Sequence, residues 1–143
     1  GRLHGGGDSS RVHEQLTGNV ISICSTNDAF AAVKADGSVV AWPFLDGYDS
    51  PSVRKQLTGG VVTIYSNSLA FAAVKTDGSI VAWGDASNGG STSEVHEQLM
   101  DSVQTVFSTG TAFAALKSYG SVVTWGNADY GGDSSAVREH LRD

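Results

Sequence analysis

Four times along this chain a Val-x-x-x-Leu segment closes on a leucine, at Leu16, Leu57, Leu99 and Leu141. A near-identical strand-like block follows the first three, so the chain is an internal repeat of 41 or 42 residues. A unit this short cannot bury its own apolar face and must stack on its neighbours. No other feature of the sequence constrains the fold as much.

Val12, Val53, Val95 and Val137 lie four residues before those leucines, which puts each pair on one side of a helix of about two turns. Ser9-Ser10, Ser50, Ser93 and Ser134-Ser135 precede these segments and are placed to cap them. Past each leucine, Val20, Val61 or Val103 opens a β-branched run that predicts a first strand. Ala29–Lys34, Ala70–Lys75 and Ala112–Lys117 then read as a second strand, and their alanines predict crowding on both faces. Asp36-Gly37, Asp77-Gly78 and Tyr119-Gly120 supply hairpin turns, and third strands end at Trp42, Trp83 and Trp125.

The expected fold is mainly β: a repeat protein of three-stranded antiparallel blades with short helical connectors. Its architecture is either β-propeller-like, as a partial ring, or an open β-solenoid. One repeat domain over 1–143 divides into units of about 1–42, 43–83 and 84–125 and a partial unit 126–143. By this spacing a Trp belongs just before Gly1 and a strand just after Asp143, so the chain is expected to be a segment of a longer array.

The string Val-x-x-Ile-x-Ser, then Ala-Phe-Ala-Ala-Val-Lys-x-Asp-Gly-Ser-Val-Val-Ala-Trp and Gly-Gly-Asp, resembles the regulator of chromosome condensation-type repeat. It is most similar to the short three-stranded version found in the propeller-type beta-lactamase inhibitory proteins. The resemblance is densest at Asp36-Gly37, Asp77-Gly78, Trp83-Gly84 and Trp125-Gly126. It implies β-propeller blades whose loops on one rim grip ligands or protein partners, and it implies no shared chemistry. Pro43 replaces the glycine that follows the other two strand-three tryptophans, and no functional residue is carried over.

Fifteen acidic against nine basic side chains leave a net charge of −6, which disfavours nucleic acid as a partner. No apolar run reaches the length of a membrane-spanning helix. His13 and His96 share a repeat position with Arg54 and Arg138, which predicts a solvated helix face and not a metal site, with His4 and His140 offset from them. The loop acids Asp46, Asp49, Asp85, Asp129 and Asp133 have no calcium-loop spacing and read as turn formers. Cys24, the single cysteine, stands where its sister units have Tyr65 and Phe107 and reads as a packing residue. Lys34, Lys75 and Lys117 form a column of cations that reads as strand-end charge.

No nucleophile, base and acid recur together, so no enzyme, catalytic residue or cofactor is expected. The partner-like features are Phe44, Leu45 and Tyr48 in one variable loop and Tyr130 in another, since loop aromatics anchor interfaces; the alternative for the Phe44–Tyr48 loop is tucking under the adjacent blade. The expected function is a non-catalytic protein-interaction or scaffold module, an accessory subunit of a larger assembly. The alternatives are a ligand-binding or enzymatic propeller holding a carbohydrate or metal, and a structural repeat protein that self-associates through open repeat ends.

Overall fold

The computed structural model describes residues 9–43, 47–48 and 50–132, with the Arg11 and Tyr130 side chains set aside. Three sheets of three antiparallel strands each follow one another along the chain. They are β1 (Val20–Ser25), β2 (Phe30–Lys34) and β3 (Val39–Trp42); β4 (Val61–Ser66), β5 (Ala70–Lys75) and β6 (Ile80–Gly84); and β7 (Val103–Ser108), β8 (Ala112–Lys117) and β9 (Val122–Gly126). The middle strand of each sheet is the second in sequence, as the alanine content predicts.

Register repeats with the sequence. Phe30 pairs with Trp42, Phe71 with Trp83 and Phe113 with Trp125. The rings of each pair lie 5.5, 5.1 and 5.2 Å apart, within the range that favours aromatic contact. Each first strand carries a bulge after its opening valine, at Val20/Ser22, Val61/Thr63 and Val103/Thr105. The bulge leaves Ile21 and Val62 exposed and interrupts the ladder at the edge of each sheet.

The two faces of a blade differ in size. One is a large face built on Phe and Trp, and the other is a small face of alanines and valines. Between the first two blades, Ala31, Val33 and Ala41 of the small face meet Ile64, Phe71 and Trp83 of the large face. Between the second and third, Ala72, Val74 and Ile80 meet Val106, Phe113 and Trp125. Ala31 and Ala32, like Ala72 and Ala73, are fully buried because each neighbour faces a different core. Burying a side chain the size of Phe71 contributes on the order of 2–3 kcal/mol, and the preceding blade, with Tyr48 and Leu57, supplies that burial.

The connectors are shorter helices than the spacing predicts. Ser10–Leu16 and His96–Leu99 are 3-10 turns, and α1 (Pro51–Gln56) is a single α-helix of six residues. Ser9 and Ser50 occupy N-cap positions without a side-chain cap bond, and Ser93 lies before the Val95 N-cap of the third connector. Pro51 at the start of α1 removes one of the N–H groups such a cap would have served. The leucines do what the repeat predicts: Leu57 and Leu99 are buried at the two blade junctions.

The first strands approach one another, β1 to β4 and β4 to β7, while the first two connectors pack against β3 and β6 and the turn Ala86–Asn88 packs against β9. The sheets therefore fan out from a common inner edge. Backbone bonds lock each junction: the Val61 N–H donates to the Gly37 carbonyl and the Val103 N–H to the Gly78 carbonyl, both at 2.9 Å. The hairpin must come close for this to happen. A Cβ added to Gly78, which has φ +78°, would lie 2.6 Å from the Ser102 nitrogen.

Asp36 and Asp77 close these hairpins. Each carboxylate accepts the backbone N–H and the hydroxyl of the serine two residues on, at 2.9 and 2.6 Å. Asp85 accepts from Ser87 and Asn88 in the same way. Hydrogen bonds to the charged form hold all three carboxyls below the ordinary aspartate value of 3.8. Unfolded, these groups bind protons more readily, so their contribution is present at neutral pH and is lost as pH falls through the acid range.

Two outcomes follow from this packing. Gly78→Ala is expected to cost about 2–4 kcal/mol in urea denaturation, from a left-handed backbone plus a backbone clash, while Gly18→Ala, with open space around it, stays within about 0.5. In a carboxyl-detected NMR titration, Asp36, Asp77 and Asp85 are expected to titrate below 3.8, and Ser79→Ala moves Asp77 back up.

Candidate functional site

Of the four expected contact residues, Phe44 and Leu45 lie outside the described residues. Tyr130 ends the 3-10 turn Ala128–Tyr130, and its side chain lies outside them too. Tyr48 is buried. Its hydroxyl accepts from the Ala41 N–H at 3.3 Å and donates to the Val39 carbonyl at 3.4 Å. Its ring lies 5.8 Å from that of Trp83, and the Arg54 guanidinium covers it at 4.8 Å. Tyr48 thus tucks under the second blade, because the broad Trp83 ring needs cover on that side. It is not a residue of the exposed rim.

The lysine column points inward at two of its three places. Lys75 Nζ donates to the Gln56 carbonyl. Lys117, only 2% exposed, donates to the Gln98 and Asp101 carbonyls and sits 3.7 Å from the Asp101 carboxylate. These ammonium groups satisfy the carbonyls left free where a connector ends, which removes two of the three cations from any acidic partner.

Cys24 faces the junction with the second blade, and burial pushes its thiol up to about 11. A thiol held protonated is not a nucleophile at neutral pH. His13 and His96 are exposed on separate connectors. Among the described residues no three His, Cys, Asp or Glu side chains gather where they would hold a metal ion. Asp85 is committed to its own turn. His4, His140, Asp46, Asp49 and Asp133 lie outside the described residues.

Ala32, Val40 and Trp42 of the first blade are buried with Val12, as their counterparts are at the junctions, but Ile23 and Phe107 differ from theirs. Ile23, Ile64 and Val106 share one repeat position. Ile64 and Val106 are 9% and 3% exposed, whereas Ile23, on the large face of the first blade, is 58% exposed. On the small face of the third blade Phe107 is 62% exposed, while its counterpart Tyr65 is half-buried with its hydroxyl 3.0 Å from Thr105. A cavity of about 190 Å³ opens beside Phe107, lined by Thr109, Ala112, Phe113 and Ala114 among others. A larger groove of about 1340 Å³ runs along β9, with Glu94, Glu97, Asp101, Tyr119 and Trp125 among its walls. Sequence reasoning singled out neither Ile23 nor Phe107. Aligning the units places Ile23 with Ile64 and Val106, and Phe107 with Tyr65.

No family model matches the chain, and no curated protein matches it significantly. Solved structures do. Human WBSCR16 is 19% identical with a TM-score of 0.54, over 78% of this chain and 34% of that one. Prp20p from Saccharomyces cerevisiae, whose structure is described with its binding properties to Gsp1p and histones, is 15% identical with a TM-score of 0.54, over 75% and 30%. The yeast RCC1 (Prp20) bound by Kap60 gives 15% and 0.53, over 77% and 30%. The chain spans about a third of the length of the structures it matches. At this level of identity the likeness establishes the fold alone: a run of three-stranded antiparallel blades like those of the matched structures.

Proposed function

We propose that this chain is a non-catalytic protein-interaction module, working as an accessory subunit of a larger assembly. The observation that carries the reading is the division of labour within each unit. Strand residues are spent on blade-to-blade packing, Lys75, Lys117, Asp36, Asp77 and Asp85 are committed to turns and connectors, and sequence variation concentrates in the loops after the third strands. A rigid stack that holds variable loops at one rim is a scaffold for recognition. The binding of Gsp1p, histones and Kap60 by the similarly folded yeast protein supports a protein partner by analogy of fold.

Within this reading Phe44, Leu45 and Tyr130 carry the contact, because large apolar side chains in polar loops act as anchors. Tyr48, buried against Trp83, is left out of that contact. A nearer kinship to the short repeats of the propeller-type beta-lactamase inhibitory proteins belongs to the same proposal and rests on the repeat motif. An acidic partner is disfavoured by the net charge of −6 and by the two lysines turned inward.

The test is affinity capture from an extract of the native host, comparing the wild-type chain with a Phe44→Ala, Leu45→Ala, Tyr130→Ala variant. A stoichiometric protein retained by the wild type and reduced at least about tenfold by the variant is the expected result. Equal retention by both, or a sugar or metal co-purifying in its place, would count against it.

A further inference from the structure

Of the five asparagines in this chain only Asn88 precedes a glycine. An Asn-Gly step is the least hindered setting for a reaction general to polypeptides, in which the next backbone nitrogen attacks the side-chain carboxamide. A side chain on the following residue crowds that approach, and glycine has none.

Both halves of the step are demanded by packing. Gly89 has φ +109°, and a Cβ there would lie 2.6 Å from Cδ2 of Phe113. Asn88 ties three neighbours together at the junction of the second and third blades. Its Nδ2 donates to Asp85 Oδ1 at 2.9 Å, its Oδ1 accepts from Asn127 Nδ2 at 3.3 Å, and its carbonyl accepts from Asn67 Nδ2 at 2.7 Å. The adjoining Gly89 carbonyl accepts the Trp125 indole N–H at 3.1 Å. Asn67 lies between β4 and β5, and Trp125 and Asn127 belong to the third blade, so the turn Ala86–Asn88 is latched from both sides.

The same bonds keep the reaction from starting. Attack needs the carboxamide carbon turned onto the Gly89 nitrogen, but both ends of the carboxamide are held elsewhere and the main-chain carbonyls on either side are fixed. Turning it breaks the bonds to Asp85 and Asn127 together.

We propose that Asn88 is a site of spontaneous covalent conversion, held unreactive while this latch is closed and open to attack by the Gly89 nitrogen once it opens. The nitrogen gives up its proton and bonds to Asn88 Cγ, the Cγ–Nδ2 bond breaks, and Nδ2 takes up a proton and leaves as ammonia. The cyclic imide then adds one water, which opens it at either carbonyl to give aspartate or isoaspartate at position 88. The latch does not re-form on the product. A carboxylate then faces that of Asp85, which its own turn keeps ionised, and isoaspartate also lengthens the main chain and carries the Gly89 carbonyl away from Trp125. The conversion thus records each opening of this junction. It goes beyond the recognition reading and uses none of its contact residues.

Two variants loosen the latch with residues that the sister units already hold. Asn127→Asp copies Asp85, keeps an oxygen for the Asp129 N–H and loses the donor to Asn88. Asn67→Thr copies Thr26 and Thr109, whose hydroxyls accept the Ala29 and Ala112 N–H groups as Asn67 accepts that of Ala70, and loses the donor to the Asn88 carbonyl. The experiment follows the wild-type chain and both variants at mildly alkaline pH, folded in buffer and unfolded in guanidinium chloride, by peptide mapping with mass spectrometry. In the unfolded wild type Asn88 is expected to convert faster than Asn19, Asn27, Asn67 and Asn127. Folded, it is expected to convert at least about tenfold more slowly, since only the open fraction reacts. Each variant that circular dichroism shows folded should raise the folded rate about threefold or more and leave the unfolded rate unchanged. Equal rates in the folded and unfolded wild type, folded variants that convert as slowly as the wild type, or no preference for Asn88 in the unfolded chain would each overturn the proposal.

Discussion

The structure depends on one contact: the Phe–Trp face of a blade resting on the alanine face of the blade before it. Phe71 and Trp83 are completely buried, yet nothing within their own sheet covers them. The sheet is a single layer, and its two faces look into different cores. Large side chains on one face demand small ones opposite, so alanine recurs on the middle strand, where aliphatic branching would hold the sheets apart. The same demand explains the hairpin glycines, since a blade seated this deeply brings its turn against the backbone of the next first strand.

That contact also determines which residues are available for anything else. Lys117 would be an exposed cation on an isolated sheet, but in the stack it lies under the connector and binds main-chain carbonyls. Cys24 is drawn into the first junction, and Tyr48 is drawn under Trp83. Among the described residues the exposed surface includes the connector faces and Ile21 and Val62 of the first strands, and it is the loops after the third strands that vary between units.

Much of the fold was legible because the repeat states it three times. Strand order, the central position of the Ala-Phe-Ala-Ala strands and the burial of Leu57 and Leu99 all follow from spacing and residue size. Connector type was not legible. Val-x-x-x-Leu fits an α-helix and a tight 3-10 turn about equally well over so few residues, and Ser50 and Ser93 cap nothing because Pro51 and the Ser91–Ser93 contact alter the entry. Tyr48 stayed between two readings for a related reason: an aromatic in a Gly-containing loop can anchor a partner or tuck under the adjacent blade, and only its place beside Trp83 decides for the second. The end faces were hidden most completely. Ile23 and Ile64 are the same amino acid at the same repeat position, and only the presence or absence of a neighbouring blade separates 58% from 9% exposure.

If the junctions carry the stability, no blade can open alone, and native-state hydrogen exchange followed by NMR tests this most directly. The amides of β2, β5 and β8 should share one exchange free energy, equal to that of global unfolding in denaturant, with lower values confined to the outward faces of the end blades. Three separate free energies, one for each sheet, would mean that the blades fold independently and would contradict the account.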